Sequence, residues 1–175
     1  GLLGMSVNTM TEELVENETN NQFLLGAKDV QRAFIPLDTD KTSGAKISVG
    51  HMDVGKSKLF CYYQGAKGVS GDYFDCIKLD EKHYGIIKCD VSGKGANAAL
   101  IAAIVATLFK DYFKNWNFKK NKYDLSTLAY KINDAVEQLN LKGKFAAYTL
   151  CIFNTETNDF YFCNAGDNII NYYEA

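Results

Sequence analysis

The residues best suited to chemistry in this chain are aspartates placed at the ends of strand-like runs. Asp90 closes the apolar run Tyr84–Cys89 and opens Asp90-Val91-Ser92-Gly93-Lys94-Gly95, after which the pattern turns helical. Glycines at a strand-to-helix junction invite a phosphate-cradle reading. That reading fails here, because Gly95 stands where a nucleotide P-loop needs Ser or Thr, and the loop's first glycine is missing from its spacing. Asp72 follows Gly71 and begins a second strand-like run, Tyr73–Leu79. Alone, a Gly-Asp pair is most simply a turn. The two runs are joined by Asp80–Lys82 as a predicted hairpin, so the first strand starts where the second ends. Both carboxylates then face one edge of one sheet. Carboxylates converging without His or Cys partners select hard divalent ions such as Mg2+ or Mn2+.

Other reactive types offer less. Five cysteines (Cys61, Cys76, Cys89, Cys151, Cys163) sit singly in apolar runs. An odd count without CxxC spacing argues against a disulfide framework and a zinc site, and predicts buried, reduced thiols. Lys110 to Lys122 carries five lysines interleaved with Tyr112, Phe113, Trp116 and Phe118. It superficially resembles a nucleic-acid patch, but lysines also favour a helix C-terminus through its dipole. A solvated helix end anchored by its aromatics is the expectation, and no nucleic acid is expected as a partner. His51 and His83 have no partner pattern and receive no role.

The elements that must position these aspartates follow from periodicity. In 175 residues, 47% apolar and 23% charged with a net charge of −2, one domain plus an appendage is affordable. Residues 2 to 34 read as helix, with Leu3, Val7, Met10 and Leu14 forming a heptad seam. Asn17 and Asn21 interrupt the seam, and it resumes one residue out of phase at Phe23, Ala27, Val30 and Phe34. Such a break alters the supercoil or divides the helix. Pro36 stops the pattern, and Asp38–Lys56 reads as a long polar loop. Strands are predicted at Leu59–Tyr63, Tyr73–Leu79, Tyr84–Cys89, Ala147–Phe153 and Phe160–Cys163, with another beginning at Ile169–Tyr173. Between them lie a buried helix from Gly95 to Phe109 and a second at Asp124–Leu139. The longest apolar run, Ala98 to Phe109, is too short to cross a bilayer, which needs about 20 residues. The first 25 residues lack the features of a signal peptide. Strand pairs interrupted by a helical block predict an α+β fold with an antiparallel sandwich.

The stretch Ala66-Lys67-Gly68-Val69-Ser70-Gly71-Asp72-Tyr73-Phe74-Asp75, then Asp90-Val91-Ser92-Gly93-Lys94-Gly95, the Ala98-Ala99-Leu100 helix and Asn164-Ala165-Gly166 resemble a known pattern in order and spacing. It is that of the SpoIIE/RsbU-like branch of the metal-dependent (type 2C) serine/threonine phosphatases. Gln31 and Ile35-Pro36-Leu37 resemble that branch's passage from helix to domain. The resemblance spans about residues 27 to 175. It implies an antiparallel β-sandwich flanked by helices in α-β-β-α order, here truncated, preceded by a coiled-coil-like N-terminal helix. The division is residues 1–35 as linker helix and 36–175 as phosphatase domain.

By the same resemblance, Asp72 and Asp90 are metal ligands and catalytic residues. Asp90 bridges two Mn2+ or Mg2+ ions, and the Val91 carbonyl binds one of them. The implied activity is metal-dependent hydrolysis of phosphoserine or phosphothreonine in a regulatory protein of the anti-anti-sigma-factor kind. Ser70 stands where a second glycine is usual. Asp167 stands where the branch usually has His, and is a further candidate for a metal site. The family's remaining metal aspartates, from a late Asp-Gly segment and a C-terminal Asp-Asp segment, are not in this sequence, so the 175-residue chain itself is expected to be inactive. Gly1-Leu2-Leu3-Gly4-Met5-Ser6-Val7-Asn8-Thr9-Met10 resembles the end of a HAMP signal-relay module. That implies the cytoplasmic portion of an inner-membrane receptor, homodimeric through this helix and without membrane contact in the chain itself. The competing reading is a catalytically incomplete, dimerising module that transfers a signal or binds a partner.

Overall fold

The computed structural model describes residues 2–65, 69–171 and 173, with side chains in the first helix described from Glu13 onward. Ala66, Lys67 and Gly68 of the quoted motif lie outside the described residues, as do the side chains of Leu3, Val7 and Met10 in the seam. A single helix, α1 (Leu2–Phe34), runs through Asn17 and Asn21 without interruption. The change of phase therefore divides the apolar stripe and leaves the backbone hydrogen bonding intact. Leu14, Phe23, Leu25 and Val30 are exposed along it.

A hairpin follows, β1 (Val49–Val54) and β2 (Ser57–Tyr62), paired antiparallel across the two-residue turn Gly55–Lys56. The polar loop expected at Asp38–Lys56 is thus corrected: its second half is a strand. Val49-Gly50-His51-Met52-Asp53-Val54 has little intrinsic strand preference, and pairing with β2 supplies what propensity does not. Gly55, at φ +64°, provides the left-handed turn residue such a tight hairpin demands.

The remaining strands, β3 (Asp72–Lys78), β4 (His83–Val91), β5 (Ala146–Asn154) and β6 (Asp159–Ala165), form one antiparallel meander in the order β3-β4-β5-β6. Between β4 and β5 come α2 (Ala96–Lys114), the single turn α3 (Phe118–Asn121) and α4 (Ser126–Gln138). Ile169–Asn171 form no strand, contrary to the expectation for that segment, and Tyr172 lies outside the described residues.

Alternation along the strands decides the layering. Ile87, Cys89 and Val91 of β4, with Tyr148, Leu150 and Ile152 of β5, point to one face and are buried. They pack with Ile101, Val105 and Phe109 of α2 and with Leu128 and Ile132 of α4 in one core. On the opposite face Cys76, Tyr84 and Phe153 bury against Val54, with Met52 and Leu59 beside them, which seats the small sheet there. The fold is therefore α+β, built from antiparallel sheets with helices, as expected. Helix α2 extends five residues past Phe109, and its length and hydropathy would allow it to cross a membrane. One side of it, with Ile101, Val105 and Phe109, is buried in the core, while Leu100 on the other side is exposed, so the helix expected to be buried is buried on one side.

All five cysteines are free; Cys76, Cys89 and Cys151 are buried, and Cys61 and Cys163 half-buried. Burial pushes the thiols of Cys76, Cys89 and Cys151 up to about 12, which makes them poor nucleophiles. The lysine-rich segment behaves as a helix end. Phe113 and Trp116 are buried, and Phe118 stacks on the buried His83 ring at 4.7 Å. His83, unassigned in the sequence, is thus a packing residue at the mouth of the β3–β4 turn.

Candidate metal centre

The site is set by a hairpin register. In the turn between β3 and β4, Asp80 Oδ1 accepts hydrogen bonds from the Lys82 and His83 N–H groups, both at 2.8 Å. An aspartate folded over its own turn in this way fixes the loop, and the loop fixes the pairing. From that pairing Asp72 falls directly opposite Asp90 at the far end of the hairpin. Directly opposed residues present their side chains to the same face. The two carboxylates therefore converge as the sequence predicts, on the face away from α2 and α4.

Asp90 meets Ala147 on its other side, in β5, and this small residue leaves room. A cavity of about 380 Å³ opens there, lined by Asp72, Asp90, Val91, Lys94 and Phe145 among others. Partial burial raises the Asp90 carboxyl above the usual carboxylate range, and the negative charge of Asp72 raises it further; Lys88 works against both. This is the signature of a carboxylate held close to a like charge.

Val91 approaches the preceding loop closely. Its N–H donates to the Gly71 carbonyl at 3.2 Å, and a Cβ on residue 71 would collide with the Val91 carbonyl oxygen. Glycine at 71 thus keeps that oxygen from being covered. After it the chain turns through Gly93 (φ +97°) and Gly95 (φ +75°) into α2. Lys144 Nζ donates to the Ser92 carbonyl at 3.2 Å and fills the space a side chain on residue 93 would need.

Asp167 is differently placed. Its side chain is 4% exposed and pairs with Lys88 Nζ at 2.6 Å. Thr149 Oγ1 donates to its other oxygen at 3.0 Å. Burial acts to raise its carboxyl, but the bonds from Lys88, the Asn168 N–H and Thr149 outweigh this and hold it low. Asp167 adds to the negative potential at Asp90, and its lone pairs serve the lysine. Lys88 was not singled out in the sequence, although a period-two reading back from Asp90 places it on the same face.

The donor set fits a hard divalent cation in part. Two carboxylates and one carbonyl come together, while among the described residues no group of three or more His, Cys, Asp or Glu side chains forms a metal cluster.

Residues 80–175, more than half of the chain, match the family described as Stage II sporulation protein E (SpoIIE). The chain belongs to the SpoIIE family. The matched segment includes Asp90, Val91 and Asp167; Asp72 lies before it. Phosphoserine phosphatase RsbP of Bacillus subtilis (strain 168) is 41% identical over 49 residues, which are 28% of this chain and 12% of that protein. The solved PP2C phosphatase domain of Bacillus subtilis SpoIIE, with a fragment of its regulatory domain, aligns with a TM-score of 0.46 at 14% identity. That alignment covers 66% of this chain and 38% of the other. This SpoIIE-family chain therefore spans only a minor part of the length of the relatives it matches.

Proposed function

We propose that this chain is part of a metal-dependent protein phosphatase domain that removes phosphate from phosphoserine or phosphothreonine in a regulatory protein of the anti-anti-sigma-factor kind. The observation that carries the reading is the pairing of Asp72 with Asp90 at an open sheet end, with the Val91 carbonyl beside them. Asp72, Asp90 and Val91 would hold Mn2+ or Mg2+. A divalent cation there supplies activation of water and neutralisation of charge for in-line phosphoryl transfer. The chain's own residues bind and orient: the register holds the carboxylates opposed, and Gly71 keeps the Val91 oxygen uncovered. Phosphate release from a phosphoserine protein by the complete domain is expected to require Mn2+ and to vanish in Asp90→Ala. Release that persists with a chelator present would overturn the reading.

Helix α1 is proposed as a HAMP-like or coiled-coil linker that joins two copies in parallel, in the cytoplasmic portion of a membrane receptor. Exposed Leu14 and Leu25, eleven residues apart and therefore on one face of the helix, support an apolar contact along it. Two heptads alone are weak, so charged substitutions at Val7 and Met10 are expected to shift the protein to monomer in sedimentation; an unchanged sedimentation coefficient would remove the dimer. A second reading, a non-catalytic dimerising module, is favoured by the absence of a three-ligand cluster among the described residues. It predicts partner binding that Asp90→Ala leaves intact and that no divalent ion alters.

A further inference from the structure

The Asp72 carboxylate is tied down by its own loop. Its Oδ2 accepts a hydrogen bond from Ser70 Oγ at 2.9 Å, and the same hydroxyl accepts from the Asp72 N–H at 3.2 Å. Ser70 is buried and gripped through its main chain by α1. Gln31 Nε2 donates to the Ser70 carbonyl, and the Ser70 N–H donates to Gln31 Oε1 at 3.0 Å. Tyr63 OH donates to that same Oε1 at 2.7 Å. These contacts settle where the serine proton goes. The tyrosine proton is committed to Gln31, and Tyr63 lies 3.4 Å from Ser70 Oγ. An ionised carboxylate at 2.9 Å is the stronger acceptor, so the Ser70 proton goes to Asp72. Among the described residues no hydrogen bond engages Asp72 Oδ1.

We propose that Ser70, held in place by Gln31, is a positioning residue for Asp72: it fixes Oδ2 and presents Oδ1 to a divalent cation. The proposal rests on the reading of Asp72 and Asp90 as metal ligands. A carboxylate whose second oxygen is already bonded loses less torsional freedom on binding. Hydrogen-bond partners of metal ligands typically change affinity by about 10- to 100-fold when removed.

The test is a Mn2+ titration of the purified 175-residue chain, followed by electron paramagnetic resonance of the free ion. Circular dichroism melts establish the folded fraction of each variant. Ser70→Ala is expected to weaken Mn2+ binding about tenfold, and Gln31→Leu to weaken it in the same direction. Ser70→Cys, similar in volume with a weak donor, should fall with Ser70→Ala. Ser70→Thr keeps the hydroxyl and should bind as wild type does. A purely structural role would lower the melting temperature without this pattern of rescue. If Ser70→Ala and Ser70→Cys bind Mn2+ as wild type while Asp90→Asn does not, the positioning role is overturned and the metal reading stands. Failure of Ser70→Thr to bind also overturns the positioning role. If Asp90→Asn binds as wild type, the metal reading falls and the proposal with it.

Discussion

Asp90→Asn is expected to abolish divalent-cation binding and, with no cation present, to leave the protein at least as stable as wild type. The reason is the like-charge pair across the hairpin. Asp72 and Asp90 are direct partners, and burial together with Asp72 raises the Asp90 carboxyl. A carboxyl raised in the folded state binds more protons there than in the unfolded chain. Stability therefore falls as pH rises from the ordinary carboxylate value through the raised one, and the deficit persists above it. Asparagine is neutral throughout, so the variant's advantage should grow as the pH rises from the ordinary carboxylate value of about 4. Lys88 loses little by the change, because its close partner is Asp167 at 2.6 Å. Mn2+ should reverse the order by stabilising wild type alone, by about 2.7 kcal/mol at a hundredfold excess over Kd. Thermal denaturation across this pH range, with and without Mn2+, reads both effects. A variant less stable than wild type without the ion, or stabilised equally by it, would mean that the two carboxylates do not form one electrostatic site.

The legibility of this site in the sequence follows from how local its causes are. The Asp80 turn, the alternation of β4 and the glycines before α2 each act over a few residues, so the convergence of Asp72 and Asp90 could be read directly. Strand β1 could not be read in this way. Its residues lack strand preference, and only β2 makes them a strand. The grip of Gln31 on Ser70 spans 39 residues and leaves no periodic trace. Its elements are common residues, a glutamine on a helix and a serine in a loop, and their roles arise from the packing of α1 against the domain. Asp167 is an intermediate case: the resemblance offers it as a candidate, but its engagement depends on Lys88 and Thr149, which only the sheet register brings opposite each other.

The attachment of the end of α1 to the domain is expected to weaken when one lysine is removed. Lys110 of α2 lies 3.4 Å from Asp75 Oδ2, with the two side chains 42% and 7% exposed. The same ammonium donates to the Phe34 carbonyl at 3.2 Å and sits 5.5 Å from the centre of the Phe34 ring. Asp75 also accepts from Tyr73 OH at 2.9 Å and from the Cys76 N–H at 2.8 Å. Lys110→Met keeps most of the apolar stem and removes the charge, which leaves a buried carboxylate with two neutral donors. Breaking a fully buried pair costs about 3–5 kcal/mol, and the half-exposed lysine brings the expected loss nearer 2–3 kcal/mol. Lys110→Arg should recover part of this, since a guanidinium can still reach a carboxylate. The loss of the bond to Phe34 has a separate readout. Amides in the last turn of α1 should exchange with solvent faster by more than the global destabilisation explains, because a cation that capped the helix end is gone. Gln31 lies in that turn, so its hold on Ser70 should loosen as well. Unchanged urea stability in Lys110→Met would show that Asp75 is satisfied without the lysine. Faster exchange confined to the sheet would show that Phe34 is held by its ring alone. The expected pattern, an α1 end freed beyond the common shift of the sheet amides, would place the mechanical coupling between helix and metal centre in the few polar bonds at residues 31 to 34.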